Sequence, residues 1–228
     1  TRSVCFHGVD PAAYPVAVNT PHRPRTNGPA AAVVLLLLLL TAACSSGSKA
    51  PTTTAPPGYT VKSSAKDGFA LAVPQDWTAI PLSTNTDVFN KNANALRLQN
   101  PKLASILNKA RVLGQAGGKF MAVTPDGVGD VNLTVDKPKE KTVDQIVTNS
   151  IAGLKNLDAT NVTQEPATLS GKPAIKVTFR LPVETDAGTI PTDEVQHYLL
   201  KSGKAYILTV SGVGADVSAA IADSFRLS

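Results

Sequence analysis

Few side chains in this sequence could run a reaction. From Cys44 onward there is one histidine, His197, and no further cysteine. Cysteine-built zinc sites and Cys/His dyads are therefore excluded on inventory. No serine sits in a G-x-S-x-G elbow, and no segment matches a P-loop. His197 alternates with Val195 and Leu199 on a predicted strand, the pattern of a histidine held within a sheet rather than of a catalytic base. "TPDGVGD" sets Asp126 and Asp130 in a glycine-rich turn, but calcium loops want more oxygen ligands, as in D-x-D-x-D-G. The turn reads as a connection between strands. Asp186, Asp193 and Glu194 flank the gap between two predicted strands. A carboxylate pair hydrolyses only when fixed at a defined separation in a cleft, and loop acids in solvent are the plainer reading. "GQAGG" follows a helix and precedes a strand, the reverse of a phosphate cradle, so it reads as a helix stop. Lys137, Lys139 and Lys141 of "DKPKEK" could touch anionic lipid headgroups or simply keep a turn soluble. Trp77, the sole tryptophan, either plugs the core or, with Phe120, walls an apolar cleft. The expectation is no catalytic residue, no metal and no cofactor, with Trp77 and Phe120 as a possible ligand or partner surface.

Those side chains must be positioned by a modest scaffold. The chain has 228 residues, of which 43% are hydrophobic and 5% aromatic. That suffices for one or at most two domains with a real core and no staples. The net charge is +5. Arg2, Arg23 and Arg25 against Asp10 account for two of those charges before Cys44, leaving +3 for the remainder. This is too mild to imply nucleic-acid binding, which gathers Lys and Arg on one face. Cys5 and Cys44 imply no disulfide framework.

Residues 30–43 form an apolar run with Thr41 as its only polar side chain. As a helix they reach about 21 Å against a hydrocarbon core of ~30 Å, too short for a good spanning anchor. His22, Arg23 and Arg25 precede the run and Thr41, Ala42 and Ala43 end it, the order of a secretory signal peptide. The small residues lead straight into a cysteine. "LTAAC" resembles the lipobox of bacterial lipoproteins, with Thr41 where Leu, Val or Ile is commoner. The resemblance implies a diacylglyceryl group on the Cys44 thiol and cleavage between Ala43 and Cys44. The protein would then be exported and lipid-anchored to the outer face of the cell membrane. Each buried methylene contributes about 0.8 kcal/mol, so two chains of palmitate length hold where one would not. An ordinary signal peptide with a chance cysteine, and a spanning helix, are the alternatives. The residues ahead of Pro21 look like neither signal peptide nor folded domain, and residues 1–43 are set apart from the fold.

Residues 45–58, "SSGSKAPTTTAPPG", are too poor in apolar side chains to offset the entropy of ordering. At ~3.1 Å per residue such a stretch reaches on the order of 40 Å, and with Cys44 the segment 44–60 reads as a tether. Residues 61–228 carry the pattern of a folded domain. "GFALAVP", "KFMAV", "VNLTV", "AIKVTFRL" and the pair joined by "KSGK" predict strands, the last three in an antiparallel meander. Helices are predicted at 101–113, capped by Asn100 and stopped by Gly114, at 142–157, with Thr142 and Gln145 at capping-box spacing, and at 216–225. Three amphipathic helices each need a sheet face to cover, so an α/β/α sandwich of α+β class follows.

"GFALAVPQDW" looks like the opening strand of PsbP-like domains, an apolar strand ending in Pro and a nearby Trp. "TVDQIVTNSIAGLKNL", "ATLSGKPAIKVTFRL" and "HYLLKSGKAYILTV" with "SAAIADSFRLS" agree with it across residues 61–228. With lipobox and tether the chain is similar to actinobacterial lipoproteins of the LpqN type. The resemblance implies a sandwich around a mainly antiparallel sheet and no enzymatic activity. It also implies an adaptor role on a membrane or envelope-lipid-transport complex, and defines no catalytic residues to carry over. A carrier of a lipid or other apolar molecule in a cavity walled by Trp77 and Phe120, and a hydrolase using Asp186, Asp193 or Glu194, are the competing readings.

Overall fold

A seven-stranded antiparallel sheet organises the molecule. The computed structural model describes residues 49–185 and 188–228, within one compact unit, Ser46–Ser228. The strands are β1 (Tyr59–Ser64), β2 (Phe69–Pro74), β3 (Thr78–Ala79), β4 (Gly118–Val123), β5 (Asp130–Asp136), β6 (Thr160–Leu169), β7 (Lys172–Thr185), β8 (Gly188–Lys201), β9 (Lys204–Ser211) and β10 (Arg226–Leu227). The helices are α1 (Thr86–Gln99), α2 (Ala104–Gln115), α3 (Val143–Lys155) and α4 (Ala215–Ser224), with a 3-10 turn at Pro101–Leu103. The large sheet runs β3-β4-β5-β9-β8-β7-β6, and β1, β2 and β10 form a small second sheet.

Side-chain alternation assigns each face of the large sheet. Val131 and Leu133 of β5 lie opposite Val210 and Leu208 of β9, and all four bury in one cluster with Phe69, Leu71 and Val73 of β2 and Ile221 and Phe225 of α4. The small sheet and α4 therefore share this face as its outer layer. On the opposite face Met121 and Val123 meet Phe89, Leu103, Ile106 and Leu107 of the α1–α2 region. Val177, Phe179 and Tyr198 on that face meet Ile146, Val147 and Leu154 of α3. The expected α+β sandwich around an antiparallel sheet is the architecture observed, and β6 to β9 form its meander. Each fully buried Leu, Val or Phe contributes roughly 1.5–3 kcal/mol, so the three clusters hold the layers together. Among the described residues no helix is long and apolar enough to cross a membrane.

The helices differ in detail from the sequence pattern. Thr142 caps α3 as expected, accepting from the Gln145 N–H at 3.3 Å, while Gln145 Oε1 accepts from the Lys141 N–H at 3.0 Å. The helix at 101–113 begins later, at Ala104, and Asn100 is the C-cap of α1 rather than its N-cap. Its side chain instead donates to the Pro125 carbonyl at 3.1 Å. Gly114 does not stop α2, which runs to Gln115. A Cβ there would lie 2.8 Å from the Ser83 carbonyl oxygen, so close packing against that backbone is what requires glycine. Helix α1 has no counterpart in the sequence reading, because only Phe89 and Ala93 bury along it and so narrow a stripe gives little periodicity.

Candidate functional site

The helix-covered face of the sheet is not continuously apolar. Between the cluster under α1–α2 and the cluster under α3 runs a polar seam across β5, β9 and β8. Strand register lines up Asp130, Ser211 and Glu194 in one row and Asn132, Thr209 and Gln196 in the next. All but Gln196 are buried, Asp130 to 1% exposure and Glu194 to 7%. Lys109 reaches down from α2 and donates to Asp130 Oδ1 at 2.6 Å, its side chain 42% exposed. Asn132 Nδ2 donates to Asp130 Oδ2 at 2.9 Å, and Ser211 Oγ donates to Glu194 Oε1 at 3.2 Å. On the α3 side the Tyr198 hydroxyl donates to Gln196 Oε1 and lies 2.5 Å from Ser150 Oγ. The seam therefore ties both helical layers to one strip of sheet.

Its electrostatics follow from burial. Desolvation would lower the Lys109 pKa, but the carboxylates of Asp130 and Glu194 outweigh it and hold the ammonium above its usual range. Desolvation raises the Glu194 carboxyl, with Asp130 adding to the rise and Lys109 opposing it. Both Asp130 oxygens are engaged by neighbours, so the cluster fixes α2 on the sheet and keeps one acid at raised pKa. Below an unfolded carboxyl pKa of 4.5 Glu194 is neutral in both states. As pH rises, the unfolded chain releases this proton first, and stability falls across the window up to the raised folded pKa. Glu194→Gln should remove that fall. In urea titrations its stability relative to wild type should grow as pH rises above about 4.5 and level off above the raised folded pKa, and a pH-independent difference would refute the assignment.

The residues singled out by sequence are scattered. Trp77 is 8% exposed and belongs to the cluster between the two sheets, against which the partly buried Phe120 also packs. Phe120 stacks obliquely on Phe69, ring centroids 6.0 Å apart. Neither lines the surface depressions, one at Glu140, Asp144 and Asn149 and one where Thr52–Thr54 meet α4. His197 faces the small-sheet side under α4, in a row with Lys176 and Glu165. Asp193 and its neighbour Glu194 point to opposite faces. Asp193 is 71% exposed and takes a 2.8 Å bond from Arg180 Nε, which holds its carboxyl below the usual range, while Glu194 is buried in the seam. Asp126 sits in the β4–β5 turn, accepting from Thr124 Oγ1 at 2.5 Å and from the Val128 N–H at 3.1 Å. Asp130 is no loop acid but the first residue of β5, brought by register into one row with Glu194 across Ser211. Asp186, Ala43 and Cys44 lie outside the described residues. Among the described residues no three His, Cys, Asp or Glu side chains converge as metal ligands.

The expected tether is partly engaged by the domain. Thr53 Oγ1 donates to the Ser224 carbonyl at 2.6 Å, and the Gly58 carbonyl accepts from the Gln75 N–H at 3.0 Å. Thr52, Thr53, Thr54 and Pro56 line a groove with Ala220, Asp223 and Arg226.

No family model and no curated protein sequence matches the chain. Solved structures with a similar arrangement include the solution structure of cyanobacterial PsbP (CyanoP) from Synechocystis sp. PCC 6803. It is 12% identical and has a TM-score of 0.49, over 79% of this chain and 98% of that one. They also include LpqN of Mycobacterium tuberculosis, described as involved in cell envelope biogenesis. It is 14% identical and has a TM-score of 0.41, over 78% of this chain and 90% of that one. At these identities and scores, what those proteins do is not transferred to this chain.

Proposed function

We propose that this chain is an exported envelope lipoprotein, acylated on Cys44 and cut after Ala43, whose domain serves as a non-enzymatic binding or adaptor module for a membrane or envelope-lipid-transport complex. One observation carries the reading: an export run ends in "LTAAC" and is followed by a Ser/Thr/Pro segment that joins a folded domain. Lipid on Cys44 supplies the attachment, and the domain supplies the docking surface. The seam of Lys109, Asp130 and Glu194 is read as structural, since Lys109 and Asp130 bond each other, Asn132 bonds Asp130 and Ser211 bonds Glu194.

Growth with a clickable fatty acid should label the wild-type chain. Cys44→Ala should abolish the label, move the protein out of the membrane fraction and leave residues ahead of position 44 uncut. Unchanged labelling of Cys44→Ala would overturn the anchor. The adaptor role predicts a reproducible crosslinked membrane partner in intact cells, and its consistent absence would count against that role.

A further inference from the structure

Lysines of the described domain gather at one end of the sheets. The β8–β9 hairpin pairs Lys201 with Lys204, and the β6–β7 hairpin closes at Lys172. Asp136, the last residue of β5, lies opposite Ala205 beside that hairpin, which brings the Lys137 and Lys139 turn to the same end. The small sheet joins there too. Leu227 N–H donates to Ser170 Oγ at 2.8 Å, the Lys201 ammonium donates to the Ser228 carbonyl, and Ser228 N–H donates to the Gly68 carbonyl beside the Lys66 turn. None of these six lysines pairs with an Asp or Glu among the described residues, where the ion pairs join Lys109, Lys176 and Arg180 to their acids. The acids at this end are partly occupied: Asp136 accepts from the Lys137 N–H, Asp67 from Ser64 Oγ, and Glu140 from Asn149 Nδ2. The other end carries Asp76, Asp126, Asp193 and Asp216 on its turns and strand ends, with Arg180 paired to Asp193 and Arg97 and Lys155 in the last turns of α1 and α3.

The tether contributes an independent direction. Tyr59 opens β1 opposite Pro74, at the acidic end. Ahead of it the chain doubles back, with Tyr59 N–H donating to the Pro56 carbonyl at 3.0 Å, and runs beside α4 to Ser224 and Arg226. It is therefore heading for the lysine end at Lys49. From there to Cys44 is five residues, at most about 18 Å of chain.

We infer that the lysine end is the membrane-facing surface of the domain and binds anionic lipid headgroups. The described part of the tether, held along α4, leads Lys49 toward that same end. This deepens the lipoprotein reading and rests on it for the anchor. The physical basis is additive attraction of lysines to a negatively charged leaflet within a Debye length of about 8 Å at 0.15 M salt. A domain fixed this way would present its acidic end and the β7–β8 hairpin away from the bilayer.

The test uses the full chain with Cys44→Ser, so that lipidation plays no part, and sedimentation with vesicles of phosphatidylcholine alone or mixed with phosphatidylglycerol. The apolar run contributes to both, so the readout is their ratio. The chain should partition at least about tenfold better onto the phosphatidylglycerol vesicles, and the preference should vanish at 1 M salt, where screening falls to about 3 Å. Lys172→Glu with Lys204→Glu should abolish the preference, while Arg97→Glu with Lys155→Glu, the same charge change at the other end, should retain it. Thermal unfolding checks that both variants fold. Equal partition onto both vesicles, or equal loss in both double variants, would overturn the inference. Failed acylation in cells beside a retained preference would instead remove only the anchor.

Discussion

Trp77→Ala should destabilise the domain by about 3–5 kcal/mol, the range for removing a large aromatic from a packed core. The side chain is 8% exposed and lies where the chain leaves the small sheet at Pro74 and enters the large one at Thr78. The Trp77 backbone N–H donates to the Pro74 carbonyl at 3.2 Å, closing a turn there. Phe69, Val73, Ala122 and Val131 belong to the same cluster and are all 2% exposed or less. They sit on two rigid sheets and cannot collapse into the space, so the cavity persists. For a domain of this size the loss corresponds to roughly 2–4 °C in Tm per kcal/mol, read by calorimetry or circular dichroism. Trp77→Phe should recover most of it. A change below about 1 kcal/mol for Trp77→Ala would mean that the indole packs nothing essential, and would revive its reading as a cleft wall.

Acid sensitivity should disappear in His197→Leu. His197 is 7% exposed and its Nδ1 is buried without a hydrogen-bond partner among the described residues. Burial, reinforced by Lys176 and opposed by Asp223 and Glu165, lowers its pKa from 6.5 to about 4. The unfolded chain therefore takes up a proton as pH falls below 6.5, while the folded one does not until about 4. Stability present above pH 6.5 is lost across that window, by on the order of 3 kcal/mol. His197→Leu should match wild type within about 1 kcal/mol at pH 7.5, since an unsatisfied buried nitrogen is itself unfavourable. At pH 4 it should exceed wild type by roughly 3 kcal/mol. Urea titrations at both pH values decide it, and parallel pH profiles would place the imidazole in water.

Several of these features were already legible as pattern. "VNLTV" and "AIKVTFRL" alternate strictly, so a half-buried sheet needed no tertiary knowledge, and Thr142 with Gln145 announced the start of α3. Helix α1 was not legible, because its Asn-rich sequence buries only two side chains. Strand β6 carries little signal of its own for a related reason: it is an edge strand, exposed along most of its length, with no apolar alternation. Its place comes from pairing with β7, which is a backbone property.

The candidate residues show the same division. Composition and order alone establish the apolar run at 30–43, the cysteine that follows it and the scarcity of histidine and cysteine, since these are inventories that folding cannot alter. Only tertiary structure could make Asp130 and Glu194 neighbours. They stand 64 positions apart in the sequence and meet because β9 pairs between β5 and β8. Only it could set Asp193 and Glu194 on opposite faces, gather six lysines from four turns at one sheet end, and lay Thr53 back along α4. Long-range strand register decides such encounters, and a local pattern of residue types carries no information about which strands will pair.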